Sequence, residues 1–204
     1  YRHFVLGIIA IFVYVGVEVG IPNFVNLYMT SPEVGIATGI AGTVVGMYWL
    51  LMLVGRLIGG ALGAKVSSKA MLSTVSTIAL ILVLLGIFVP EGNMIKFPAV
   101  DANLKFTMQP IPVNVMFFVL CGLCTSVMWG SIFNLAVEGL GKYTSIASGL
   151  FMVMVCGGGV LPWIQGLISG SGAGYLASYW VIVAALAYLL IYAVFGSKPE
   201  IKKQ

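Results

Sequence analysis

Apolar positions gather along the chain into six long blocks, separated by short polar connections. The blocks cover residues 4–27, 39–62, 70–89, 113–137, 146–168 and 175–195. Each is long enough to cross the hydrocarbon core of a bilayer, which takes ~20 residues in a helix. The pattern predicts an all-α membrane protein, a six-transmembrane-helix bundle. The connections are 28–38, 63–69, 90–112, 138–145 and 169–174. The longest, 90–112, holds prolines at 90, 98, 110 and 112, and an extended or partly ordered cap is expected there.

Composition agrees with this class. Of the 204 residues, 60% are hydrophobic and 8% are charged, against about 25% charged in a soluble domain. The net charge of +4 looks basic, but the lysines lie outside the apolar blocks, which points to topology and not to nucleic-acid binding. With six spans both termini share one side. That side holds Arg2, Lys65, Lys69, Lys142, Lys198, Lys202 and Lys203, whereas the other holds Lys96 and Lys105. The excess of Lys and Arg predicts cytoplasmic termini and an external 90–112 loop, in which Glu91 and Asp101 accompany the two lysines. The first residue is Tyr1, so a piece of a longer protein is expected.

Polar residues inside the blocks are few, and they carry the functional expectations. Glu18 is the one acidic residue of the first block, where a carboxylate near mid-bilayer costs ~2.5 kcal/mol or more. Gly16 and Gly20 flank it, and Pro22 follows four residues later. Tyr14 lies one helical turn before it and Asn26 two turns after, a stripe suited to lining a cavity. Such a carboxylate serves as an acceptor for sugar hydroxyls, as a proton carrier, or as a structural group bonded to a neighbouring helix. Arg56, the one basic residue inside a block, fits a gate or structural clamp. It opens toward Lys65 and Lys69 and can pair with a carboxylate on a neighbouring helix.

The second block is rich in glycine, with pairs Gly42/Gly46, Gly55/Gly59 and Gly59/Gly63 at the spacing that lets helices approach closely. In the fourth block Ser131, Asn134 and Glu138 share one face, and Trp129 suits stacking on a sugar ring. Glu138 at the rim is expected to meet Arg56 or Lys142. The fifth block contains Gly157, Gly158 and Gly159, then Pro162 and Gln165. The first and fifth blocks are therefore expected to be the broken or bendable ones, at Pro22 and between Gly157 and Pro162.

Enzymatic chemistry is not expected, and neither is a metal site or a cofactor. Cys121 and Cys124 lie in an apolar block without a second pair. The run from Gly170 to Gly174 lacks the Lys-Ser/Thr of a phosphate loop. His3, the one histidine, is at an end, and Asp101, the one aspartate, is in the long loop.

These residues resemble a known group. Six spans with both ends on one side look like half of a major facilitator transporter. Gly55-Arg56-Leu57-Ile58-Gly59, followed by Lys65 and Lys69, is similar to the second-half copy of that superfamily's loop motif, without the usual aspartate before the arginine. Tyr14-Val-Gly-Val-Glu18-Val, with Ile132-Phe133-Asn134-Leu135-Ala136 and Gly139-Leu140-Gly141-Lys142, resembles the fucose–proton symporter and glucose/galactose transporter family. The resemblance covers the whole chain and implies the carboxy-terminal half, helices seven to twelve, of a twelve-helix protein.

What it implies further is proton- or sodium-coupled transport of a small neutral sugar across a bacterial inner membrane by alternating access. The partners would be the lipid bilayer and a missing amino-terminal half. Sugar would sit between the halves against Tyr14, Glu18, Asn26, Trp129, Ser131, Asn134 and Gln165. In that family the main proton-coupling carboxylates lie in the other half. Rival readings are a homo-oligomeric channel or structural assembly, and a transporter of a drug, peptide or organic ion.

Overall fold

Six helical spans long and apolar enough to cross a membrane run through the structure: Arg2–Thr30, Thr38–Gly63, Ser68–Phe88, Val113–Val137, Gly141–Ala173 and Tyr175–Gly196. Each end lies within five residues of the corresponding sequence block. The structure is a computed structural model and describes residues 1–90, 92–100 and 105–198. Glu91, Asp101, Lys202 and Lys203 lie outside the described residues.

The first three spans are single helices, α1 (Arg2–Thr30), α2 (Thr38–Gly63) and α3 (Ser68–Phe88). Strands β1 (Met94–Val100) and β2 (Phe106–Pro112) follow. The fourth span is split into α4 (Val113–Thr125) and α5 (Met128–Val137). The fifth is split into α6 (Thr144–Met154) and α7 (Gly157–Ile168). The last span is α8 (Tyr175–Ile191), which ends in a π-helical turn, Tyr192–Gly196.

The breaks correct one expectation. α1 runs unbroken through Pro22. Proline removes one helix hydrogen bond, and the carbonyl that loses its donor is that of Glu18, four residues back. That oxygen accepts instead from Tyr48 Oη, 3.2 Å away. The fourth span breaks with neither proline nor glycine at the break. Thr125 Oγ1 lies 3.2 Å from the carbonyls of Cys121 and Gly122, and Ser126 Oγ bonds to that of Leu123. Side chains that bond back to the preceding turn compete with the helix and bend it.

The fifth span does break, but ahead of the glycines. Around Val155 and Cys156 the amides of Val155, Cys156, Gly158 and Gly159 each bond three residues back, a tightened 3-10 turn. Pro162 lies inside α7.

The long loop is more ordered than expected. β1 and β2 form an antiparallel hairpin in which Met94 faces Pro112, Lys96 faces Pro110 and Pro98 faces Met108. Val113 N donates to Asn93 O, which fixes the alternate pairs as the hydrogen-bonded ones. All three strand prolines therefore occupy positions whose N–H would point away from the partner strand, where its loss costs nothing in the ladder. The outward edge of β1 is clipped to α2, where Thr43 Oγ1 bonds both the carbonyl and the amide of Val100.

α1 is the central helix and touches α2, α4, α5, α7 and α8. Glycines permit the closest of these crossings. A Cβ on Gly157 would meet the Phe12 backbone, and one on Gly122 would meet the Tyr48 carbonyl. Gly16 packs on Leu161, Gly55 on Ser126 and Gly59 on Val127. Gly42, Gly46 and Gly63 face no neighbour within the structure. In their apolar windows the first and fourth spans are 50% and 61% buried, while the second and fifth are 22% buried. The second and fifth spans thus leave an apolar face open.

Candidate functional site

Glu18 lies near the middle of α1, a helix of 29 residues. α2 returns antiparallel beside α1 and brings Arg56 to it, with Arg56 Nη2 3.1 Å from Glu18 Oε1. The Glu18 side chain is 14% exposed and that of Arg56 is 56% exposed, so the cation reaches the pair from the wetter side. A desolvated carboxylate is tolerated when its charge is paired and its lone pairs are hydrogen-bonded. Arg56 was expected to pair with a carboxylate on a neighbouring helix, and that partner is Glu18. Neither Arg56 nor Lys142 pairs with Glu138. Lys142 instead lies over the Tyr143 ring at 5.4 Å, and the Glu138 carbonyl accepts from His3 Nε2 at 2.9 Å.

Behind the pair is a buried hydroxyl cluster that the sequence reading did not find. Tyr48, eight residues before Arg56 and on the same face of α2, bonds both the Glu18 carbonyl and Thr125 Oγ1 (3.1 Å). Tyr14 Oη donates to the Thr125 carbonyl at 3.2 Å. Thr125 is the last residue of α4, so its carbonyl lacks a partner within that helix. The Tyr14 ring meets Trp129 edge-on, with centroids 6.1 Å apart. Tyrosines opposite a proline gap and a Thr-Ser pair were the available signals for this cluster.

Arg56 borders a cleft of about 360 Å³ between α2, the start of α3 and α5. Ser68, Ser126, Ser131 and Asn134 give it polar groups, and Gly59, Gly60 and Gly130 keep its walls low. Asn134 Nδ2 reaches Ser68 Oγ at 3.4 Å. A second cleft, about 500 Å³, shares Ser68 and Asn134 and adds Lys69, Glu138 and Lys198.

The expected site residues divide accordingly. Ser131 and Asn134 line the cleft that Arg56 borders, and Glu18 and Trp129 stand near it. Tyr14 is fully buried and bonded to α4, so it does not line a cavity as expected. Asn26 is exposed two turns further along α1 and is not among the residues lining either cleft. Gln165 is fully buried, its amide against Gly20, and neither its Oε1 nor its Nε2 has a partner. Pro22 is buried within α1. Among the described residues no three His, Cys, Asp or Glu side chains converge as metal ligands would.

No family model matches the chain. Curated relatives do. A glucose/galactose transporter from Brucella abortus (strain 2308) is 34% identical over 200 residues, covering 97% of this chain and 43% of the relative. A putative glucose/galactose transporter from Helicobacter pylori (strain J99) is 32% identical, covering 98% of this chain and 45% of the relative. The L-fucose-proton symporter of Escherichia coli (strain K12) is 22% identical, covering 97% and 40%. Among solved structures, that of FucP, a major facilitator transporter in the outward conformation, superposes with a TM-score of 0.81 at 22% identity. It covers 97% of this chain and 43% of that one. The chain thus spans less than half the length of the relatives it matches.

Proposed function

This chain is one half of a major facilitator transporter, related to the glucose/galactose and fucose–proton transporters, and on that premise we propose that the whole protein carries a small neutral sugar across a bacterial inner membrane. This half is the carboxy-terminal one, and the sugar sits near mid-depth between it and an amino-terminal half of six further spans. Transport is secondary, by alternating access, coupled to protons or sodium ions. The termini of this half face the cytoplasm, and the β1–β2 hairpin faces outward. The distribution of lysine and arginine supports that orientation.

The observation that carries the reading is the mid-depth Glu18–Arg56 pair beside a cleft edged by Ser131 and Asn134. A charge so placed is expensive and points to a substrate path. A neutral polyol finds acceptors and donors there, while the paired charges leave no net attraction for an ion. The Glu18 carboxylate, partly exposed beside Arg56, is the acceptor offered to a sugar hydroxyl. Trp129 supplies an apolar ring face, and Ser131, Asn134 and Gln165 supply further hydrogen bonds. Tyr14 holds this site from behind.

The test is counterflow of radiolabelled glucose, galactose and fucose in proteoliposomes holding the full-length protein. One of the three is expected to exchange, and this half alone is expected to carry none. Exchange of an organic cation or a peptide with none of the sugars would overturn the reading.

A further inference from the structure

One hydroxyl joins the weak points of two helices. Pro22 has no N–H, so the Glu18 carbonyl is the one carbonyl of α1 whose helix donor is missing inside the span. Tyr48 Oη lies 3.2 Å from that oxygen and 3.1 Å from Thr125 Oγ1, at the break between α4 and α5. Tyr48 is 1% exposed and Thr125 is fully buried, so water has little access to the Tyr48 hydroxyl. The hydrogens can be assigned by count. A carbonyl can only accept, so the single Tyr48 proton goes to Glu18. Thr125 Oγ1 can then donate to Tyr48 or to its own preceding turn.

The residue gripped in this way is the one whose carboxylate pairs with Arg56. α2 therefore holds Glu18 twice, by its main chain through Tyr48 and by its side chain through Arg56. The geometry points to Tyr48 as the positioning residue for Glu18, its hydroxyl standing in for the helix hydrogen bond that Pro22 deletes. A helix N–H would move with α1, whereas a donor on α2 ties the course of α1 at Glu18 to the position of α2. Relative motion of α1 and α2 opens that bond and frees α1 to bend at Pro22. The sugar reading enters only where transport is the readout.

A cycle of variants in the full-length protein tests this: Tyr48→Phe, Pro22→Ala and the double variant. Tyr48→Phe keeps the ring and loses the hydrogen bond, while Pro22→Ala returns an N–H to the Glu18 carbonyl. The first readout is hydrogen–deuterium exchange of peptides spanning residues 14–26. Tyr48→Phe is expected to raise exchange about fivefold in the Pro22 protein, the equivalent of one net hydrogen bond. It is expected to have no effect in the Pro22→Ala protein, a non-additivity that a tyrosine acting by packing alone would not produce.

The second readout is the KM for the transported sugar, which should rise with Tyr48→Phe and return in the double variant. Equal effects of Tyr48→Phe on both backgrounds, or none on either, would overturn the proposal. If Tyr48→Phe does not accumulate, folded double variant supports the proposal and unfolded double variant overturns it. Should Glu18→Gln leave sugar binding unchanged while the exchange cycle holds, the sugar role of Glu18 falls and Tyr48 still positions it.

Discussion

Arg56 Nη2 lies 3.1 Å from Glu18 Oε1, joining one of the more buried helices of the bundle to one of its most open ones. The two side chains differ fourfold in exposure, and that asymmetry sets what each substitution does. Arg56→Ala strands a largely buried carboxylate. Loss of one partner of a fully buried pair costs about 3–5 kcal/mol, and the solvation of Arg56 reduces this toward ~1 kcal/mol. Thermal unfolding of Arg56→Ala, Glu18→Ala and the double variant should give a double loss smaller than the sum.

Glu18→Gln and Glu18→Ala separate binding from coupling in the full-length protein. As the proposed sugar acceptor, Glu18 is expected to be needed for both counterflow and ion-driven uptake. Loss of uptake alone would make it the proton carrier. Near-normal rates in both variants would remove Glu18 from the functional site.

Tyr14→Phe keeps the ring and removes the donor to the Thr125 carbonyl. An unsatisfied buried carbonyl costs ~1–3 kcal/mol, so the melting temperature should fall by several degrees. An unchanged melting temperature would mean that the α4–α5 break does not depend on this cap.

Two glycines in one turn should behave oppositely. A Cβ on Gly157 would run into the Phe12 backbone, where neither chain can yield. Gly157→Ala is expected to destabilise by ~1–3 kcal/mol. Gly159 faces no atom within 4 Å, and alanine is the better helix former by up to ~1 kcal/mol. Gly159→Ala should match or exceed the parent in thermal unfolding of this half. Equal losses at both positions would mean that α7 does not pack on α1 as described.

Gln165 is buried with both amide atoms unpartnered. Replacing an unsatisfied amide by an apolar side chain of similar size should raise stability. Gln165→Met is expected to melt higher while sugar affinity drops, the signature of a group kept for a ligand. A higher melting point with unchanged affinity would strike Gln165 from the proposed site.

Glu18 and Arg56 were each legible alone, because a charge in an apolar block announces itself. Their pairing was not, since it depends on how far α2 slides along α1. The six spans were legible from apolar length, which the bilayer dictates. The break after Thr125 was missed because proline and glycine are the familiar breakers, whereas here two adjacent hydroxyls bond backward to their own turn. At Pro22, by contrast, the helix is unbroken in this structure, because the gap is filled from another helix. The hairpin was hidden by prolines at 98, 110 and 112, whose spacing fits one outward edge pattern only when the register is known.

The hairpin prolines have a consequence of their own. Any two-stranded sheet exposes two edges on which a further strand can form. On this one, eight residues point their main chain outward. Three of them are proline, and a fourth, Val100, is already bound to Thr43. An extended segment arriving from another molecule would find carbonyls without the matching donors. The hairpin thus resists seeding aggregates at the aqueous face, where a hydrophobic chain is most exposed to its neighbours.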